Sequence, residues 1–282
     1  MKKNVKAVVF DLDGTLLDTL EDLAAATNWA LRQNGMGERS LEEVRRFVGN
    51  GVRRLMERAV PDGENNPHFE QTFADFKRYY VDHCQDRTRL YDGVTEMLAA
   101  LKASGLRLAI VSNKLQAGVD ELYERYFRDT VEVAIGERPD VQRKPAPDMV
   151  ELALRQLGVA KDEAVYVGDS DVDLQTACNS GLPCISVLWG FRDRDFLIEH
   201  GAQVLVSRPE EVLTVLRRDP QPQAGDRVRK RLVLITGGQR SGKSLYAEQL
   251  ALSLSPNPVY MATAHIWDEE FAERVRRHQE RR

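Results

Sequence analysis

From Asp92 to about Ser207 the chain repeats one device: a helix-spaced stretch, then a short β-branched apolar run. VTEMLAALKASG leads to LRLAIVSN, and a helical stretch near residues 117–126 leads to VEVAIG. DMVELALRQLG leads to AVYVGDS, DLQTACNSG leads to PCISVLWG, and QVLVS is the last apolar run. VKAVVF at residues 5–10 reads as a further buried strand at the start. Strands that alternate with helices predict an α/β fold, a Rossmann-like parallel sheet with helices on both faces. In such sheets ligands bind beyond the carboxyl ends of the strands. Two acidic motifs lie there, DLDGT after the first run and GDSDVD after AVYV.

The alternation is interrupted once, by helical text. DLAAATNWALRQNG has helical spacing and closes at Gly35, a residue suited to a C-cap. SLEEVRRFVGNG opens with Ser40 as N-cap and Glu43 three residues later, a capping box. Helical text continues through FADFKRYYVDHC. The expected organisation is an all-helical insert at residues 18–88, set into a core of residues 1–17 and 89–218.

Asp11 and Asp13 stand at i and i+2 just past a strand, so an extended backbone points both side chains the same way. Two adjacent carboxylates repel unless a cation or a proton lies between them. Phosphoryl transfer uses both remedies. One carboxylate attacks phosphorus beside a magnesium ion, and the other carries a proton for the leaving oxygen. Gly14 suits a tight turn, and the Gly14 and Thr15 amides could then face a phosphate. A calcium loop is the competing reading, but Gly14 falls at its fourth position rather than its sixth. Asp169, Asp171 and Asp173 also begin like a calcium loop, then show Leu174 where Gly is needed and Ser180 where Glu is needed. One magnesium site fed by both clusters fits better. Ser112 and Asn113, after LAIV, can donate hydrogen bonds to phosphoryl oxygens, and Lys144 in RKPAPD can stabilise charge on the transferred group. Asp148 suits the start of the next helix.

DLDGTLLDT, VSN, KPAPD and GDSDVD, in that order, resemble the haloacid dehalogenase-like hydrolases over about residues 5–216. The resemblance implies Asp11 as nucleophile, forming an aspartyl-phosphate, and Asp13 as general acid and base. It implies magnesium held by Asp11, the Asp13 carbonyl and Asp169, with Asp173 supporting through water, and a phosphoryl group held by Ser112 and Lys144. The acid at Asp13 favours a phosphatase over a dehalogenase, because cleaving a carbon–halogen bond needs no acid for a leaving oxygen. The helical insert resembles the family's cap. DLAAATNWALRQNGM, FVGNGVRRLMERAV and LWGFRDRDFLIEHGAQVLVSRPEEV look most like phosphoglycolate phosphatases. The expected substrate is a small phosphorylated metabolite, 2-phosphoglycolate favoured. Gly49, Asn50 and Gly51 are the expected cap loop, with Arg53 or Arg54 pairing the substrate carboxylate. A pyrophosphatase is an alternative on the same fold.

RRDPQPQAGDRVRKR has no apolar period and reads as a linker, centred on residues 219–230. Residues 231–282 then begin a partial P-loop α/β segment. Gly237, Gly242, Lys243 and Ser244 match the GxxxxGKS phosphate loop, which would cradle a nucleotide. TGGQRSGKS and VYMATAHIWDEEFAERVRRHQ resemble the start of adenosylcobinamide kinase/adenosylcobinamide-phosphate guanylyltransferase, with His278 near that family's guanylylated histidine. No acid of the Walker B kind follows on a later strand, so the expectation is a truncated unit without kinase or transferase competence. The alternative function for the whole chain is a nucleotide-binding protein of corrinoid metabolism. A net charge of −4 gives no reason to expect nucleic acid or a membrane surface as partner. Three scattered cysteines suit a reducing compartment better than a disulfide framework or zinc site. The short apolar run at the start meets acids at once and is no signal peptide, so the expected location is the cytoplasm.

Overall fold

The computed structural model describes residues 5–217 of the 282. In chain order the elements begin with β1 (Ala7–Phe10), β2 (Leu17–Asp18), α1 (Leu20–Gln33), α2 (Leu41–Phe47), α3 (Gly51–Ala59) and α4 (Phe69–His83). They continue with β3 (Arg89–Leu90), α5 (Val94–Ala103), β4 (Arg107–Leu115), α6 (Gln116–Tyr126), β5 (Val133–Glu137) and α7 (Asp148–Leu157). The last are β6 (Ala164–Gly168), α8 (Asp171–Ser180), β7 (Cys184–Val187), α9 (Arg194–Glu199), β8 (Leu205–Val206) and α10 (Glu210–Arg217).

Six strands form one parallel sheet in the order β5-β4-β1-β6-β7-β8. β1 is central and every residue in it is fully buried, as its unbroken β-branched and aromatic run requires. Val8, Phe10, Leu98, Ile110 and Val167 pack into one apolar layer, and Val9, Val111, Met149, Leu154 and Tyr166 into the opposite one. The chain leaves β1 toward β4 on one side and β6 on the other. Strand order therefore reverses at β1, and the crevice beyond its carboxyl end is where an α/β sheet binds ligands.

The helical insert is rooted in a two-stranded antiparallel ladder, with Leu17 opposite Leu90 and Asp18 opposite Arg89. Buried Asp22 ties the returning chain to α1, accepting from the Arg87 and Thr88 amides at 3.0 and 2.8 Å. The insert has its own core, in which Leu23, Ala30 and Leu31 of α1 meet Phe69, Phe73 and Phe76 of α4. Its sequence signals fold locally as read. Gly35 turns α1 off at φ 69°, and Ser40 and Glu43 close a capping box at 2.8 and 3.3 Å. No helix among the described residues is long and apolar enough to cross a membrane. The P-loop residues Gly237, Gly242, Lys243 and Ser244, and His278, lie outside the described residues.

Candidate active site

Four strand ends converge on one crevice. β1 delivers Asp11 and Asp13, β4 delivers Ser112 and Asn113, the segment after β5 delivers Lys144, and β6 delivers Asp169. Lys144 Nζ lies 2.7 Å from Asp11 Oδ1 and 2.8 Å from Asp173 Oδ1, with all three side chains buried. Carboxylate oxygens of Asp11, Asp169 and Asp173 lie within 4.8 Å of one another. A cavity of about 50 Å³ opens above them, lined from the core by Asp11, Asp13, Ser112 and Lys144 and from the insert by Leu23, Val48, Gly49, Gly51 and Tyr80.

Residues 8–187 match the family described as haloacid dehalogenase-like hydrolase. This chain belongs to that family.

Among relatives, a phosphoglycolate phosphatase of Thiobacillus denitrificans is 38% identical over 66% of this chain and 85% of its own length. An N-acetylmuramic acid 6-phosphate phosphatase of Pseudomonas aeruginosa is 31% identical over 77% of this chain and 97% of its own. The crystal structure of a Lactobacillus delbrueckii subsp. bulgaricus protein superposes with a TM-score of 0.73 at 37% identity, covering 77% of this chain and 99% of that one. With phosphatases across the core, the hydrolase is an enzyme acting on phosphoric monoesters. Residues 233–282 match a second family, cobinamide kinase / cobinamide phosphate guanyltransferase.

The carboxylates of the hydrolase fit a hard divalent cation. Burial, and next the neighbouring Asp173, push the Asp169 carboxyl up to about 7. Burial, then Asp173, also raises Asp11 well above the ordinary range, against the pull of Lys144. Anionic oxygens this close and this dry need positive charge beyond one ammonium, and all-oxygen donors suit magnesium. A carboxyl raised by folding contributes stability below its unfolded pKa and loses it as pH rises through about 7. The melting temperature of metal-free protein is therefore expected to fall from about pH 5 to about pH 8, and magnesium to restore it at the upper end. Asp169→Asn should flatten this profile in a thermal melt. A metal-free profile that rises over this range would contradict the assignment.

Asp173 does more than the sequence reading allowed. Its Oδ2 accepts from Ser170 Oγ at 2.6 Å and from the Ser170 and Asp169 amides, closing the first turn of α8. Its Oδ1 accepts from Lys144 and Tyr166. Both oxygens already serve the protein, so Asp173 orients Lys144 and the Asp169 turn.

Three expectations change. The Gly14 amide donates to Leu17 O at 2.8 Å and the Thr15 amide to Leu12 O at 3.3 Å, so both close the turn instead of facing a phosphate. The turn still needs glycine, because Gly14 has φ 88° and a Cβ would strike Asp169. Asn113 lines the cavity as expected and also clamps the Lys144 peptide, donating to its carbonyl at 3.1 Å and accepting from its amide at 2.8 Å, which positions the lysine. Arg53 stays on the outside of the insert. It pairs with Glu64 at 2.9 Å and Glu70 at 2.6 Å and covers the Phe69 ring. Arg54 pairs with Glu57. In the cap loop Gly49 and Gly51 line the cavity, while the Asn50 side chain accepts from Arg58 outside it.

Sequence reasoning missed two features. Lys114 is buried at the cavity, 2.6 Å from Tyr80 Oη and 3.4 Å from Asp13 Oδ1. Burial would lower its pKa, but Asp13 and Tyr80 hold it above the ordinary lysine value. Its place two residues after Ser112 on one strand was the available signal. The second is the loop after β7. The Phe191 amide donates to Asp169 Oδ2 at 2.7 Å while its ring packs into the core of the insert. Arg192 donates to Arg45 O and Val48 O at 2.9 and 2.6 Å, and Arg45 returns a bond to Gly190 O. One loop thus touches the Asp169 carboxylate and the cap together.

Proposed function

We propose that the hydrolase is a magnesium-dependent phosphatase of a small phosphate monoester, 2-phosphoglycolate favoured, working through an aspartyl-phosphate. The observation that carries this is the Asp11–Asp13 pair at the sheet's switch point, with Lys144 2.7 Å from Asp11. An Asp11 carboxylate oxygen attacks phosphorus, the ester P–O bond breaks, and Asp13 gives its proton to the departing alkoxide. In the second half Asp13 takes a proton from water as that water attacks phosphorus, and the bond to Asp11 breaks to release phosphate. Lys144 and Ser112 hold the phosphoryl oxygens, the lysine balancing charge as it spreads over them. Asp11, Asp169 and the Asp13 carbonyl would hold magnesium, which when bound neutralises the nucleophile and phosphoryl oxygens. The cap excludes water from the first step.

The phosphoglycolate phosphatase of Thiobacillus denitrificans, 38% identical, supports a short leaving alcohol over a sugar phosphate such as the one named for the Pseudomonas relative. A phosphate-release screen over 2-phosphoglycolate, N-acetylmuramic acid 6-phosphate, pyrophosphate and aryl phosphates tests the reading. The expected result is release that requires magnesium, stops with chelator, and is fastest by kcat/KM on 2-phosphoglycolate. Release undiminished by a chelator would overturn the metal dependence, and a faster sugar phosphate would overturn the substrate.

A further inference from the structure

Resting on that reading, we propose that Lys114 of the core and Tyr80 of the cap form a subsite for an anionic substituent on the leaving alcohol, and that this pair sets substrate choice. An ammonium has three protons. Tyr80 Oη accepts one from Lys114 at 2.6 Å, and Asp13 Oδ1 lies 3.4 Å away, which leaves one N–H for the cavity both side chains line. Because Tyr80 Oη accepts from Lys114, its own O–H remains available as a second donor. Two donors, one cationic, thus converge from opposite sides of the crevice.

Their place specifies what they meet. Lys144, the other lysine lining the cavity, is held by Asp11 and Asp173 at the phosphoryl end. Lys114 sits instead beside Asp13, the group that protonates the leaving oxygen. Whatever neighbours Asp13 faces the alcohol. A carboxylate one carbon from the ester oxygen, as in the phosphate ester of a short 2-hydroxy acid, would lie next to that oxygen and could accept from both donors. A neutral alcohol leaves the buried ammonium with a single carboxylate at 3.4 Å. The arginines expected from sequence for this task are paired elsewhere, Arg53 with Glu64 and Glu70 and Arg54 with Glu57. Since Tyr80 belongs to α4, the subsite is complete only with the cap seated.

The test uses the full chain with Lys114→Met and, separately, Tyr80→Phe. The quantity read is kcat/KM for 2-phosphoglycolate divided by kcat/KM for phenyl phosphate, in magnesium. Loss of a hydrogen bond to a charged group predicts that Lys114→Met lowers this ratio roughly 10- to 100-fold, chiefly through KM, and that Tyr80→Phe lowers it less. An unchanged ratio, or equal loss on both esters, overturns the proposal. Calorimetric binding of the same esters to Asp11→Asn protein, with and without Lys114→Met, gives a readout independent of turnover. If the wild type hydrolyses neither ester, the phosphatase reading fails, and the binding ratio still decides the subsite. Should Lys114→Met fail to fold in a thermal melt, Tyr80→Phe, which removes one oxygen, carries the test.

Discussion

Asp11→Asn is expected to abolish phosphate release, with kcat down by at least about 10⁴-fold, the scale seen when a covalent nucleophile is removed. The fold should survive. Asn has nearly the shape of Asp, and Lys144 keeps Asp173 at 2.8 Å. The substitution also removes one of three crowded acidic groups, so the metal-free melting temperature should hold or rise. Phosphate-release kinetics and a melt on the same preparation check both halves. An active Asp11→Asn protein would refute the nucleophile assignment, whereas an unfolded one would show that Asp11 is needed to build the site. Wild-type protein quenched during turnover should carry a phosphate on Asp11, detectable by mass, and the variant should not.

Lys144→Met should hurt both stability and activity. It leaves Asp11 and Asp173 buried without their shared cation. Breaking a buried ion pair from one side costs about 3–5 kcal/mol. The loss should depend on pH. Burial first, and Asp173 next, already raise the Asp11 carboxyl, and removing Lys144 removes a partner that opposes the rise. The variant should therefore lose stability as pH rises above the ordinary carboxylate range and regain part of it as pH falls and Asp11 takes up a proton. Turnover should fall by about 10²- to 10³-fold, as when one charge-stabilising donor is removed. Denaturant melts at two pH values separate the ion-pair explanation from a simple cavity, which would cost the same at both.

The catalytic core was legible because each of its motifs is local. A buried run, a glycine turn and an acid at a strand end can be read within ten residues, and the alternation around them fixes a parallel sheet. Asp11, Asp13, Ser112, Lys144 and Asp169 all reach one crevice for that reason. What escaped depends on partners distant in sequence. Arg53 takes its partners from outside its local sequence, and Glu64 and Glu70, 11 and 17 residues on, hold it. Asn113 lines the cavity as its place after LAIV suggests, but its clamp on the Lys144 peptide, 31 residues on, has no local signal. The Gly14 and Thr15 amides are consumed inside a turn whose closure depends on Leu12 and Leu17. Lys114 gains its meaning from Tyr80 on another element, and no periodicity announces that pairing.

The two short strands at the root of the insert have a consequence of their own. Paired strands lie about 4.8 Å apart, so the chain departs at Asp18 and returns at Arg89 almost to the same spot. Residues 19–88 behave as a parenthesis. A shorter or longer clause could stand between the same two brackets without moving a single hydrogen bond of the main sheet. Attack and choice are thus only partly separable: an exchanged parenthesis would bring a new partner to Lys114 in place of Tyr80, while Asp11 would keep its place beyond β1.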